Sequence, residues 1–476
     1  MTPNRRPAHR ADGFLAAARN LLFGTVTPLA VLAAMSGPAR ADDTSPSSPL
    51  HAPEDNEQHH LFGDWDGWRE RLHDAGIKLN FAEQSELWGN LAGGLRQGAV
   101  YDGLMIGSMK LDLNKLTGWT GGWFYASAFQ VHGRGPSANL VGNMQLVSNI
   151  EATRGTKLYD LWLDQHLWDG KVDIRFGQEG ANDEMMVTQY GGLFLNSSFG
   201  FPGLPAAVLP SGGPNYPMAT PFARAKFQAT DKLTLIGAVY NGDPAPPGIG
   251  DPQKRDAGGI AFRLNDHVLG FSEVWYSVGQ GKDELPGTYK IGAWYSSSPF
   301  ADQRFDTAGL PLASPASTGI GRTHSPGYAF YGIADQMIWK PQGRCDDCGL
   351  AAFVQVMGAP SSFNLSDFFI EGGFNWKGPW QGRDDDVIGL AVSYVGISPA
   401  AQAFRSDVIA VTGTGSRYAG NETVIEATYV YKAAVWLAFQ PDLQYVVNPN
   451  AGIPSAASRT PVRDALVAGI RATIQF

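Results

Sequence analysis

The chain has 476 residues, with 45 acidic against 36 basic side chains and a formal net charge of −9. That balance argues against nucleic acid as a partner, and no stretch after residue 41 approaches the roughly 20 continuous apolar residues that a membrane helix needs. The length admits two or three soluble domains or one large barrel. Residues 1–41 read as a cleaved secretory signal: Arg5, Arg6, Arg10 and Arg19 form a positive region, 21–34 is mostly apolar, and Ala39-Arg40-Ala41 is a small-x-small cleavage site. The mature chain would begin at Asp42. Five Arg and one Asp leave with the signal, so 31 basic and 44 acidic residues remain and the charge becomes −13. Residues 42–60 are rich in Ser, Pro and acids and read as a flexible leader. Its His51, His59 and His60 read as surface residues rather than metal ligands. Residues 61–76 form the convincing helix: Asp64 or Asp66 caps it, Trp68, Leu72 and Ala75 share a face, and Gly76 stops it. A short amphipathic helix there can plug or brace one end of a barrel.

From Ile77 onward period two takes over, the signature of strands with one apolar and one polar face. The clearest hairpin sets Tyr159, Leu161, Leu163 and Leu167 against Asp160, Trp162, Asp164 and His166, turns at Asp169-Gly170, and returns with Val172, Ile174 and Phe176 against Asp173 and Arg175. In a globular protein the charged face would meet solvent; in an outer-membrane barrel it lines a wet lumen. The same alternation places Arg224 and Lys226 opposite Ala223, Ala225 and Phe227. It places Glu371 opposite Ile370 and Phe374, and Gln440 and Asp442 opposite Phe439 and Leu443. Pro441 sits on the apolar face of its strand and suggests a bulge. The last strand, 465–476, alternates Leu466, Ala468, Ile470, Ala472, Ile474 and Phe476 with Arg471, Thr473 and Gln475. Its polar side predicts Arg471 and Gln475 in the lumen, and its apolar side Ile474 and Phe476 toward lipid. The terminal aromatic is expected to be read by the outer-membrane assembly machinery.

The reading is therefore an all-β chain: a transmembrane antiparallel β-barrel over 77–476, preceded by the short helix. About 17 candidate strands can be marked. Both termini of such barrels normally lie on the same side, so the number is expected to be even. Dropping the weak candidate 258–264 gives 16, while a strand hidden in a long loop would give 18. The longest loop, 179–220, carries Asn182, Asp183, Glu184, Tyr190, Phe194, Phe199 and Tyr216. So much aromatic surface suits a loop folded inward, and this is the expected constriction. The pore-lining candidates are Asp160, Trp162, Asp164, Asp173, Arg175, Glu179, Arg224, Lys226, Glu371, Gln440, Asp442 and Arg471. Cys345 and Cys348 read first as a disulfide across a turn in an oxidising compartment. A redox pair or half of a zinc site is the sharper alternative, but no second Cys pair or nearby His completes four ligands.

These residues resemble the carbohydrate-selective outer-membrane porin family, OprB. The resemblance starts at Gly63-Asp64-Trp65-Asp66-Gly67-Trp68-Arg69 with Leu72 and Gly76-Ile77, where Asp66 replaces a usual Gly. It continues through 145–152, 158–165 and 175–178, then 289–295, 301–305, 440–445 and Asn448-Pro449. The Cys345 to Cys348 turn is outside the shared pattern. The resemblance implies a 16-stranded barrel in the outer membrane of a Gram-negative cell, passing monosaccharides by diffusion through a charged and aromatic constriction. It carries no cofactor, and a monomer or a homotrimer is expected. Two other readings stay open: a general, anion or organic-acid channel on the same barrel, and an exported β-rich glycoside hydrolase or lectin using pairs such as Asp160, Asp164, Glu179 and Glu371. The hydrolase would bury an ordinary apolar core and isolate its catalytic acids, whereas here charges recur on one face of strand after strand.

Overall fold

The computed structural model describes residues 60–281, 284–454 and 460–476. The signal segment and most of the leader, including His51 and His59, lie outside the described residues. Among the described residues, period-two alternation yields eighteen strands. They are β1 (Ile77–Gly94), β2 (Gly98–Asp112), β3 (Gly122–Gly133), β4 (Gly155–Leu167), β5 (Val172–Glu179), β6 (Thr220–Gln228), β7 (Leu233–Asn241), β8 (Val268–Val278) and β9 (Gly287–Ser296), followed by β10 (Phe300–Asp306), β11 (Gly321–His324), β12 (Gly327–Trp339), β13 (Gly349–Gly358), β14 (Ser366–Lys377), β15 (Val387–Ile397), β16 (Asn421–Ala434), β17 (Leu437–Val447) and β18 (Arg463–Gln475). All except β10 and β11 join one closed antiparallel barrel, in which β9 pairs with β12 and β1 pairs with β18. The barrel thus has 16 strands. The remaining two form a separate hairpin in the loop after β9, and residues 258–264 form no strand.

The burial pattern is inverted relative to a soluble domain. Glu422, Glu426, Arg224 and Arg471 are buried, while Ile291 is 75% exposed and Phe330 66%. Apolar side chains standing outward and charges turned inward are what a lipid solvent outside and a polar interior demand. Exposed aromatics gather at strand ends: Trp339, Trp376 and Tyr431 near one rim, Tyr295, Tyr328 and Tyr445 near the other. The first rim carries the short connections, such as 229–232 and 435–436; the second carries the long ones.

Four local expectations change. The N-terminal helix, α1, covers only Trp68–Asp74, because Trp65, Asp66 and Gly67 adopt positive φ of 52°, 57° and 82° and break any earlier turn. No side chain caps it at Gly67, although Asp64 accepts the Glu70 N–H at 3.0 Å. Its buried residue is Arg69 rather than the Trp68 face, and Trp68 is 59% exposed. Arg69 donates to the carbonyls of Gly63, Leu79 and Phe476, the last at 2.9 Å, so the helix braces the β1–β18 seam. Phe62 stacks on Phe476 with ring centroids 5.5 Å apart. Pro441, finally, makes no bulge: Thr428 pairs with Asp442 and Tyr431 with Phe439 in one unbroken register, and Pro441 itself faces Ile470. Proline lacks the ladder N–H, and its strand tolerates that loss without slipping.

Candidate functional site

Residues 180–219, between β5 and β6, turn into the barrel and run along its inner wall. Each step is held by a polar side chain that strand alternation has aimed inward. Glu184 meets Arg224 Nε at 2.6 Å and Lys226 Nζ at 3.1 Å, both from β6. The Met186 N–H donates to Glu273 of β8 at 2.8 Å, and Lys290 of β9 donates to the Val187 carbonyl at 2.7 Å. Asn375 of β14 donates to the Tyr190 carbonyl at 2.7 Å, while Gln440 of β17 reaches the Leu193 carbonyl at 2.8 Å. Glu426 of β16 accepts the N–H groups of Leu195 at 2.5 Å and Asn196 at 2.9 Å. A loop carrying this many backbone polar groups can be buried only because the wall supplies partners for them.

A second inward segment, 134–154, lies beside it. Glu422 accepts the N–H groups of Met144 and Gln145 at 2.9 and 2.7 Å, and Arg471 donates to Asn149. The two segments bond to one another, Asn149 N–H to the Leu195 carbonyl and Ser197 N–H to the Leu146 carbonyl. Together they cover the wall from β6 round to β1.

At the root of the longer segment lies the densest charge cluster. Arg175 donates through Nε to Asp164 at 2.9 Å, approaches Glu179 at 3.5 Å, and lies over the Trp162 ring at 4.0 Å. Arg224 pairs with Glu184 and, at 2.7 Å, with Asp173. Tyr240 donates to Glu179 at 3.2 Å. Seven of the twelve pore-lining candidates, Trp162, Asp164, Asp173, Arg175, Glu179, Arg224 and Lys226, therefore meet here. The side chain of Arg224 is 0% exposed and that of Arg175 is 14% exposed. Arg224 is thus a strut between wall and loop, and Arg175 keeps a surface toward the lumen. Burial works to raise the Glu184 carboxyl, but Arg224, Lys226 and Arg175 outweigh it and hold the group well below the usual carboxylate range.

The other candidates stand elsewhere on the inner wall. Asp160 accepts from Ser127 at 2.6 Å, and Glu371 is buried on β14. Asp442 accepts from Gln444 at 3.1 Å, and Arg471 is ion-paired with Glu86 of β1 across the seam. Alternation did not single out Glu273, Asp335 or Gln355, which also hold the loop. Glu273 stands between Phe271 and Trp275 on the same inward face, so bulky apolar neighbours hide its period. Cys345 and Cys348 form a disulfide in the turn between β12 and β13, on the short-connection rim and away from the charge cluster.

A closed barrel with an apolar belt, a charged interior and a loop folded against its inner wall defines an outer-membrane diffusion channel. The family described as carbohydrate-selective porin, OprB family, matches residues 96–476, and the chain belongs to it. It is 26% identical over 436 residues to Porin B of Pseudomonas aeruginosa, covering 87% of this chain and 91% of that one. It is 23% identical over 449 residues to the putative porin QuiX of Acinetobacter baylyi, covering 87% and 93%. The high-pH structure of Pseudomonas putida OprB shares its fold, with a TM-score of 0.78, 22% identity, and coverage of 89% of this chain and all of that one. The protein is a Gram-negative outer-membrane porin of a carbohydrate-selective family, and fold and family point to a channel rather than an enzyme.

Proposed function

We propose that this porin passes glucose-like monosaccharides by diffusion, and that the constriction is the 180–219 segment together with the charge cluster of β4 to β6. The observation that carries the reading is Arg175, whose guanidinium lies 4.0 Å over Trp162 while Asp164 and Glu179 sit beside it. A neutral sugar offers hydroxyl donors and acceptors on its edge and C–H groups on its faces. Carboxylates and a guanidinium can replace its hydration, and an aromatic face can stack on it. Contacts must remain weak, because a tight site would stop the flux.

Charge balance weighs against the anion-channel reading. Three cations, Arg175, Arg224 and Lys226, face four carboxylates, Asp164, Asp173, Glu179 and Glu184, and Arg224 is enclosed. The cluster therefore has no excess of positive charge to concentrate an organic acid. Single-channel current across planar bilayers, with and without glucose, tests the proposal. Glucose is expected to reduce ion conductance reversibly, and Arg175→Ala to weaken that block. Conductance indifferent to glucose would remove the sugar assignment.

A further inference from the structure

The β4–β5 hairpin carries a second grouping, which shares Asp164 and Asp173 with the charge cluster and adds His166. Asp164 and His166 are two residues apart on β4 and so share its inward face. Asp173 lies directly across from His166, and Arg175 across from Asp164. Each carboxylate divides its oxygens between two tasks. Asp164 gives Oδ2 to Arg175 Nε at 2.9 Å, and Asp173 gives Oδ1 to Arg224 Nη1 at 2.7 Å. The remaining oxygens turn toward one imidazole nitrogen: His166 Nε2 lies 3.7 Å from Asp164 Oδ1 and 3.9 Å from Asp173 Oδ2. Both distances are too long for hydrogen bonds. Asp164 Oδ1 is buried without a hydrogen-bond partner among the described residues, in a side chain only 2% exposed. Donor atoms of the three residues lie within 4.8 Å of one another.

We propose that Asp164, His166 and Asp173 form a luminal site for a divalent first-row transition-metal ion. Two ligands of such an ion, each about 2.1 Å from it, stand roughly 3.4 Å apart in a tetrahedral arrangement, close to the spacings observed. An imidazole nitrogen selects zinc-like ions over Ca2+ and Mg2+, which prefer oxygen alone. The guanidiniums do not forbid the cation. Each already binds the outer oxygen of its carboxylate, the usual outer support of a metal-ligating carboxylate. Counting Glu179, Glu184 and Lys226, the surroundings carry four carboxylates against three cations, so the local field favours a further positive charge. Three protein ligands leave coordination positions for water, and His166, 29% exposed, opens the site to the lumen. The hairpin turn and strand pairing fix all three side chains, so the site needs little reorganisation.

The test is a calorimetric titration of the full-length protein in detergent with ZnCl2, on a background with His51, His59 and His60 replaced by Asn to silence the leader. One saturable site is expected, at least tenfold weaker in His166→Ala or His166→Gln and undisturbed by excess MgCl2. Heat-modifiable migration on a gel shows which variant is folded, and either one suffices. Absence of heat above dilution, equal affinity in a folded variant, or displacement by Mg2+ would overturn the proposal. The titration reads metal alone, so a channel that ignores glucose yet binds Zn2+ would sink the sugar reading and leave this site standing.

Discussion

The inward segment is fastened by carboxylates near its start and again near its middle, but with opposite logic. At its start the loop supplies the carboxylate, Glu184, and the wall supplies the cations, Arg224 and Lys226. Near its middle the wall supplies the carboxylate, Glu426, and the loop answers with the backbone N–H groups of Leu195 and Asn196. The first arrangement neutralises charge with charge and commits several ions to one buried network. The second satisfies orphan amides and, among the described residues, leaves a carboxylate without a cation on it. A buried ion pair is costly to break because its partner is stranded, whereas a lost carboxylate-to-amide contact leaves only neutral donors unsatisfied.

The largest effect should follow from Arg224→Met. It takes the guanidinium from Asp173 and leaves Glu184 to Lys226 alone in a buried site, at a cost of about 3–5 kcal/mol, and loosens the root of the loop. The denaturation midpoint in detergent should fall and single-channel current should become noisy. Arg224→Lys should recover part of the loss, because an ammonium cannot span both carboxylates as the planar guanidinium does. Glu426→Ala should cost less, about 1–3 kcal/mol, with milder current noise. If Glu426→Ala proved the more damaging, the contrast between the two fastenings would fail.

The halves of this scheme were unequally legible. Alternation placed Arg224 and Lys226 inward because Ala223, Ala225 and Phe227 leave no doubt about the apolar face. Nothing in that alternation says how deep a side chain lies. Arg224 and Arg175 read alike in sequence, yet one is enclosed and the other borders the lumen, a difference made by Glu184 arriving from the loop. The inward fold of 180–219 could be read from its aromatics, but its path could not: its fastenings are mostly backbone groups, which carry no residue signature. Strand number was readable from parity and from the weakness of 258–264. The start of α1 was not, because Asp64 and Asp66 look like caps until the positive φ of Trp65 and Asp66 is known. Pro441 suggests a bulge because it lacks the ladder N–H, yet the strand needs no extra residue there and the ladder simply skips a bond.

The smallest expected effect isolates the amide-type fastening by its pH dependence. Glu151, in the segment between β3 and β4, accepts the Ser137 N–H at 3.0 Å, the Ser137 hydroxyl, and the Ser148 N–H at 3.3 Å, with no cation in contact among the described residues. Burial pushes its carboxyl up to about 7, the Ser137 bonds oppose that rise, and the neighbouring Glu86 charge adds to it. Glu184, with cations upon it, is held low instead. The folded state therefore keeps the Glu151 proton to higher pH than the unfolded chain, whose group titrates near 4.5. Its contribution is fully present below that value and is lost as pH rises through about 7, with a slope of at most about 1.4 kcal/mol per pH unit. Trypsin cleavage at Arg134 or Arg154, normalised to a reference peptide, should accelerate between pH 6 and pH 8. Glu151→Gln cannot titrate and should flatten that profile, while Arg224→Met should leave its shape unchanged. An equally steep profile in Glu151→Gln would show that charge at this carboxylate does not set the hold on the segment, and the distinction between the two kinds of fastening would lose its electrostatic basis.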